Sequence, residues 1–222
     1  MDFAHIPVML EECMQGLNLK SGGIYFDGTV GGGGHSYEIL KRTSPDGRLI
    51  ATDLDDEAIA AATQKLKEFD GRFKIYKSDY KDFETVFGLD ETPLLDGAIL
   101  DFGVSSYQLD NEERGFSYMR PNAPLDMRMD ATQEFTAQTL INEYPREKIS
   151  EVLKKYGEEK FASRIAEEIV KARTRKAITT CGELVDIIEK TIPKKLQQNG
   201  PAARKSFKAI RIAVNGELSG LY

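Results

Sequence analysis

The chain has 222 residues, 41% apolar and 30% charged, enough apolar content to bury a core, which excludes collagen-like, disordered and disulfide-scaffold chains. No run is apolar enough to span a bilayer. Residues 6–19 carry Glu11 and Glu12 and lack a basic start, so neither a signal peptide nor an anchor is read and a cytoplasmic location is expected. The net charge of -6 divides unevenly, -13 over residues 1–144 and +8 over residues 145–215, which suits a chain whose later part meets a polyanion such as nucleic acid.

In chain order, the apolar run at 24–28 stops at a glycine cluster, and 36–41 reads as the start of a helix. The turn Pro45-Asp46-Gly47 leads into a second strand at 48–53, followed by a helix from about 56 to 68 with Ile59, Ala62 and Leu66 on one face. Residues 73–77 alternate as a third, half-exposed strand, and 96–101 form a fourth that ends in an acid. Strands alternating with helices predict an α/β fold with a parallel, doubly wound sheet, whose ligands sit beyond the carboxyl ends of the strands. Asp27, Asp53 and Asp101 all fall at such ends. Beyond Asp101, a stretch punctuated by Gly103, Gly115, Pro121 and Pro124 gives way to helical periodicity, with Phe161, Ile165 and Ile169 on one face of 158–175 and Phe207, Ile210 and Val214 on one face of 203–218. The expected division is therefore a sheet domain over 1–130 and a helical lobe over 131–222.

The densest chemical signal is Asp27-Gly28-Thr29-Val30-Gly31-Gly32-Gly33-Gly34-His35-Ser36, with five glycines in seven positions where a strand must turn into a helix. Such a turn lets a ligand lie against the main chain. The dinucleotide fingerprint fails, because GxGxxG begun at Gly31 meets Ser36 and begun at Gly32 meets Tyr37, and no Walker Gly-Lys-Ser/Thr follows. A strand-end acid before a glycine turn instead suits the amino-acid end of S-adenosylmethionine. Asp53, about 20 residues beyond that turn, has the spacing of an acid that accepts from ribose hydroxyls, though an N-cap for the next helix is an alternative, with Asp55 and Asp56 competing for both roles. Tyr80 offers a ring for adenine or for the core, and Asp79 an acceptor for an adenine amine. Arg204, Lys208 and Arg211 at helical spacing, with the cluster Lys171, Arg173, Arg175 and Lys176, offer contacts to RNA or a solvated helix face. Cys13 and Cys181 form no CxxC pair, so they are read as inert, partly buried thiols, and no metal site is expected.

The runs at 25–36, 101–110 (Asp-Phe-Gly-Val-Ser-Ser-Tyr-Gln-Leu-Asp), 113–117 (Glu-Arg-Gly-Phe-Ser), 124–130 (Pro-Leu-Asp-Met-Arg-Met-Asp), 156–162 and 207–215 resemble the MraW (RsmH) family over essentially the whole chain. The resemblance implies a Rossmann-like class I methyltransferase sheet, here partial with about four parallel strands, and an inserted helical lobe. It implies transfer of a methyl group from S-adenosyl-L-methionine to the exocyclic N4 amine of a cytidine in small-subunit ribosomal RNA, the partner being that RNA or an assembling ribosomal particle. Gly33, Gly34 and His35 would contact the methionine end of the cofactor, Asp53 its ribose, and Tyr80 its adenine, with Asp101 and Gln108 completing the pocket. Amino-methyltransferases acting on DNA carry a D/N/S-P-P-Y/F motif where this chain has Asp101-Phe102-Gly103-Val104-Ser105-Ser106, so no catalytic base is read. Members of the family continue past this point, so a C-terminally shortened sheet is expected, with an edge that a second copy could cover as a homodimer. A non-catalytic RNA-binding or ribosome-assembly protein retaining the Rossmann-like lobe is the alternative. A nicotinamide-dependent oxidoreductase is disfavoured by the failed fingerprint.

Overall fold

A computed structural model describes residues 7–90 and 94–219. The chain divides into two compact units, Met1–Tyr107 and Gln108–Tyr222.

The first unit is built on four parallel strands, β1 (Ile24–Asp27), β2 (Arg48–Asp53), β3 (Phe73–Lys77) and β4 (Gly97–Ile99), in the order β3-β2-β1-β4. Their helical connections are α2 (Gly34–Arg42), α3 (Asp56–Lys65) and α4 (Phe83–Asp90), preceded by α1 (Leu10–Leu17). The two-residue alternation of the strands explains why helices cover both faces. Tyr25, Leu49 and Ala51 join Ile39 and Leu40 of α2, Ala62 and Leu66 from the α3 region and Met14 of α1 in one core cluster. Phe26 and Ile50, pointing the other way, pack with Val86 of α4. β1 and β2, central in the sheet, are mostly buried, whereas the edge strand β3 is only half-buried, as its alternation predicts. The register sets Asp27 opposite Ala51 and Ile99, and Asp53 opposite Lys77, so both acids stand at the carboxyl end of the sheet.

The predicted strands are found in place, β2 and β3 with the expected bounds, while β4 is shorter than its apolar run. The helix expected from Ser36 starts two residues earlier, because Gly33 takes the left-handed N-cap position at φ 74°.

The second unit is helical. Its elements are α5 (Ser106–Asp110, which begins at the boundary), α6 (Ala137–Glu143), α7 (Arg146–Gly157), α8 (Ala162–Arg173), α9 (Cys181–Thr191) and α10 (Arg204–Asn215). α7 packs against both α8 and α10, and α8 against α9. Gly157 permits the first contact with α10: a Cβ there would stand 2.7 Å from the Lys205 carbonyl oxygen and 3.0 Å from Ala209 Cβ. Side-chain caps define two of the helix starts. Thr180 and Glu183 form a reciprocal capping box at α9, and the Thr136 hydroxyl accepts from the Thr139 amide at α6.

The boundary between compact units falls at 107/108, whereas composition suggests 130. The segment between those positions is stitched into the helical unit: Leu125 N donates to Thr179 O at 3.0 Å, Cys181 N to Ala123 O at 2.9 Å, and Pro124 forms an antiparallel bridge with Thr180. Asn215, the last residue of α10, accepts from Met129 N at 2.6 Å and donates to Met127 O at 2.8 Å. These are long-range pairings with no local pattern, so the prolines and glycines of the segment alone conceal them.

Candidate functional site

The site grows from the places where β1, β2 and β4 end. Asp27, 2% exposed, accepts from the Thr29 amide at 3.1 Å and from the Ser36 hydroxyl at 2.7 Å, which ties the strand end to the first turn of α2. Burial pushes its carboxyl up to about 6, against the opposing pull of the Ser36 and Thr29 hydrogen bonds and of His35. Asp53 accepts from Gly31 N at 2.8 Å through Oδ2 and from Asp55 N at 3.0 Å through Oδ1. Burial raises its carboxyl above the ordinary value, while the amides of Asp55 and Gly31 oppose the shift. The N-cap of α3 is Asp55, whose side chain accepts from Glu57 N, so Asp53 is left to brace the glycine turn. With the Leu54 amide contributing more weakly, these amide bonds still leave part of a carboxylate's acceptor capacity for hydroxyl donors.

Three side-chain hydroxyls fasten these ends together, and the sequence reading gave none of them a role. Besides Ser36, Thr52 donates to Gly28 O at 3.0 Å, joining β2 to the end of β1. Thr29 Oγ1 accepts from Asp101 N at 2.6 Å, joining the β1 exit to the β4 exit. Ser and Thr beside strand-end acids are the signal that could have found them, since such side chains bond neighbouring backbone groups.

The glycines differ in what they permit. Gly31 and Gly33 have positive φ, at 50° and 74°. A Cβ on Gly33 would stand 3.2 Å from Ala62 Cα, and one on Gly34 would collide with Pro7. On Gly28 it would collide with Leu100 and lie 2.9 Å from Tyr80 Cβ. At Gly32 it would meet open space, so this residue presents bare main chain to whatever lies above the turn.

His35, buried, lies 3.1 Å through Nε2 from Val8 O; the carbonyl can only accept, so Nε2 donates. Its Nδ1 stands 3.9 Å from Asp101 Oδ2, and the Asp101 side chain is half-exposed. Tyr80, half-buried at the start of a short 3-10 turn, meets Phe102 edge to face with ring centroids 5.3 Å apart. Asp79 is held by Lys81, whose amide donates to it at 3.1 Å and whose ammonium pairs with it at 2.7 Å, so an adenine amine would compete with that pairing. Among the predicted residues the first unit thus brings Gly33, Gly34, His35, Asp53, Tyr80 and Asp101 to one end of its sheet. Gln108 belongs to the second unit, where it is buried in α5.

Of the predicted RNA contacts, several are committed elsewhere. Arg211 is paired with buried Glu217 at 2.8 Å, and Arg173 donates to Ile141 O at 2.7 Å. Lys176 pairs with Glu183 at 2.6 Å and Lys171 with Glu167 at 2.7 Å, while Arg175, Arg204 and Lys208 are exposed. Cys181 is buried with its thiol pushed up to about 12, as an inert thiol requires.

A family model described as the MraW methylase family matches residues 2–222. The Symbiobacterium thermophilum protein named ribosomal RNA small subunit methyltransferase H is 49% identical over 222 residues, which is all of this chain and 70% of that protein. Proteins of the same name from Clostridium botulinum (strain Loch Maree / Type A3) and Clostridioides difficile (strain 630) are 48% and 46% identical, each over 98% of this chain and 70% of their own length. With a family match over nearly every residue and such identity across this span, the chain belongs to the MraW methylase family.

Proposed function

We propose that this chain binds S-adenosylmethionine at the carboxyl end of its sheet and transfers a methyl group to the exocyclic N4 amine of a cytidine in small-subunit ribosomal RNA. The observation that supports this most is the pairing of Asp53 with the glycine turn: a desolvated carboxylate, fixed by two amides and with acceptor capacity to spare, beside a main chain open at Gly32. The donor set fits the group. Acids suit ribose hydroxyls and a cationic amino end, and a turn without side chains suits a ligand that carries no phosphate.

The bound cofactor supplies a methyl group on a positively charged sulfur. Asp53 would accept from the ribose hydroxyls, each charge-assisted bond contributing about 1.5–3 kcal/mol. Asp27, held by Ser36 and Thr29, and Asp101, held through its amide by Thr29, place negative charge where a cationic amino group gains most from it. Gly33, Gly34 and His35 line the methionine end, and Tyr80 offers its ring to adenine. Holding an amine and a methyl carbon in line supplies on the order of 7–11 kcal/mol of the barrier, so alignment does much of the work in this chemistry. A cytosine in a single strand, or one turned out of its stack, presents that amine.

The test is incubation of the 222-residue chain with methyl-labelled S-adenosylmethionine and small-subunit ribosomal RNA, as free RNA and as particles. Label recovered as N4-methylcytidine after nuclease digestion is the expected result. Label on another atom would overturn the N4 assignment, and cofactor binding without transfer would favour a non-catalytic RNA-binding protein.

A further inference from the structure

α8, the turn that follows it and α9 border an open groove of about 470 Å³, lined by Arg164 and Lys171 of α8, by Arg175 of the turn, and by Ile187, Lys190 and Thr191 of α9. Glu167 and Glu168 also line it, so four cations face two carboxylates. Arg164 and Lys171 are seven residues apart on α8, two helical turns or about 10 Å, and Arg175 lies in the turn just past the end of the helix, so the charges are spread along the groove rather than gathered at a point. Both glutamates are engaged by Lys171, at 2.7 and 2.9 Å. Arg164 and Arg175 are exposed, and among the described residues neither guanidinium makes a side-chain hydrogen bond or an ion pair. The adjoining depression beyond Lys190 is charge-balanced, with Lys190 and Lys194 facing Asp186 and Glu189.

We propose that this groove is a docking surface for the phosphodiester backbone of single-stranded RNA. Planar guanidinium forks match phosphate oxygens in pairs, and two exposed forks, that of Arg164 in the field of Glu167 but in no hydrogen bond with it, with Lys171 between them in sequence and Lys190 also on the groove, fit a repeating anion better than an isolated one. The surface pairs of Lys171 are solvent-exposed and exchange readily for a phosphate. The surrounding excess of +8 over residues 145–215 extends the attraction beyond contact range. The inference rests on the RNA reading above and adds the surface by which the strand is held: it keeps Lys171 and Arg175 of the basic cluster, adds Arg164 and Lys190, and leaves out Arg173 and Lys176, which are engaged elsewhere.

The experiment compares three forms of the 222-residue chain by fluorescence anisotropy with a labelled single-stranded RNA of mixed sequence: wild type, Arg164→Glu/Arg175→Glu, and Lys194→Glu/Lys195→Glu, which carries the same charge change on the neighbouring surface. We expect the first double variant to bind about tenfold or more weakly and to lower the slope of log affinity against log salt by about 1.4, the loss of two phosphate contacts. The second should stay within about twofold of wild type. Equal weakening of both would overturn the groove in favour of diffuse attraction, and effective displacement of the RNA by poly-glutamate would overturn it in favour of an acidic protein. A wild-type chain that binds no RNA would defeat the RNA reading itself. If circular dichroism shows the reversal variant unfolded, Arg164→Gln/Arg175→Gln is measured against the same criteria.

Discussion

Asp53 Oδ2 accepts the amide of Gly31 at 2.8 Å across 22 positions of sequence, so the acid that ends β2 also fixes the turn that follows β1. The carboxylate proposed to hold ribose is therefore part of the scaffold that shapes the neighbouring turn. Replacing it disturbs both, and the choice of substitution decides which effect is read. Asp53→Asn keeps an oxygen for one amide and removes the charge. We expect it to weaken S-adenosylmethionine binding by about 1.5–3 kcal/mol, roughly 10-fold to 150-fold, in calorimetric titration. Unchanged affinity would remove Asp53 from the ribose role.

The glycines should separate by experiment. Gly33→Ala places a Cβ in a left-handed position and 3.2 Å from Ala62 Cα, and should cost about 1–2 kcal/mol or more in denaturant unfolding. Gly32→Ala meets open space, so its stability should stay within about 0.5 kcal/mol of wild type while affinity for the methyl donor falls. A Gly32→Ala chain with normal donor affinity would show that the ligand does not lie against this main chain.

Asp27 should leave a pH signature. Its carboxyl is raised from 3.8 to about 6 in the folded chain, so between those values the folded state binds more protons than the unfolded state. Stability then falls as pH rises through that window, by roughly 3 kcal/mol, and levels off above it. Asp53 is raised as well and adds to the same trend. Asp27→Asn, which retains an acceptor for the Thr29 amide and a partner for Ser36, should flatten the Asp27 share of the slope. Parallel stability curves for the two proteins from pH 4 to pH 6 would contradict this account.

In the helical unit the buried carboxamide of Asn215 joins α10 to the chain at Met127 and Met129. Asn215→Ala strands an amide and a carbonyl in a buried place and should destabilise by about 2–4 kcal/mol in thermal or denaturant unfolding. A loss below about 0.5 kcal/mol would mean that these bonds contribute nothing net.

Periodicity was sufficient for the sheet: the strands at 24–28 and 48–53 announce themselves by apolar runs closed by glycine or acid, the strand at 73–77 by its alternation, and their parallel direction follows from the helices between them. The candidate acids were legible for the same reason, because a strand end is a local feature. What local pattern could not carry was pairing across long separations. The Thr29 bond to Asp101 spans 72 positions and the Asn215 bond to Met129 spans 86, so neither the bracing of the site nor the boundary at 107/108 was visible. Charge was legible only in sum. The excess in residues 145–215 is real, but which cations are engaged depends on packing, and Arg211 and Arg173 turn inward while Arg164 does not.

The most direct test of the central claim is calorimetric titration of the 222-residue chain with S-adenosylmethionine, with S-adenosylhomocysteine and NAD alongside. The account predicts micromolar, one-to-one binding of the first two and none of the third. A folded chain that binds neither sulfur compound would contradict it.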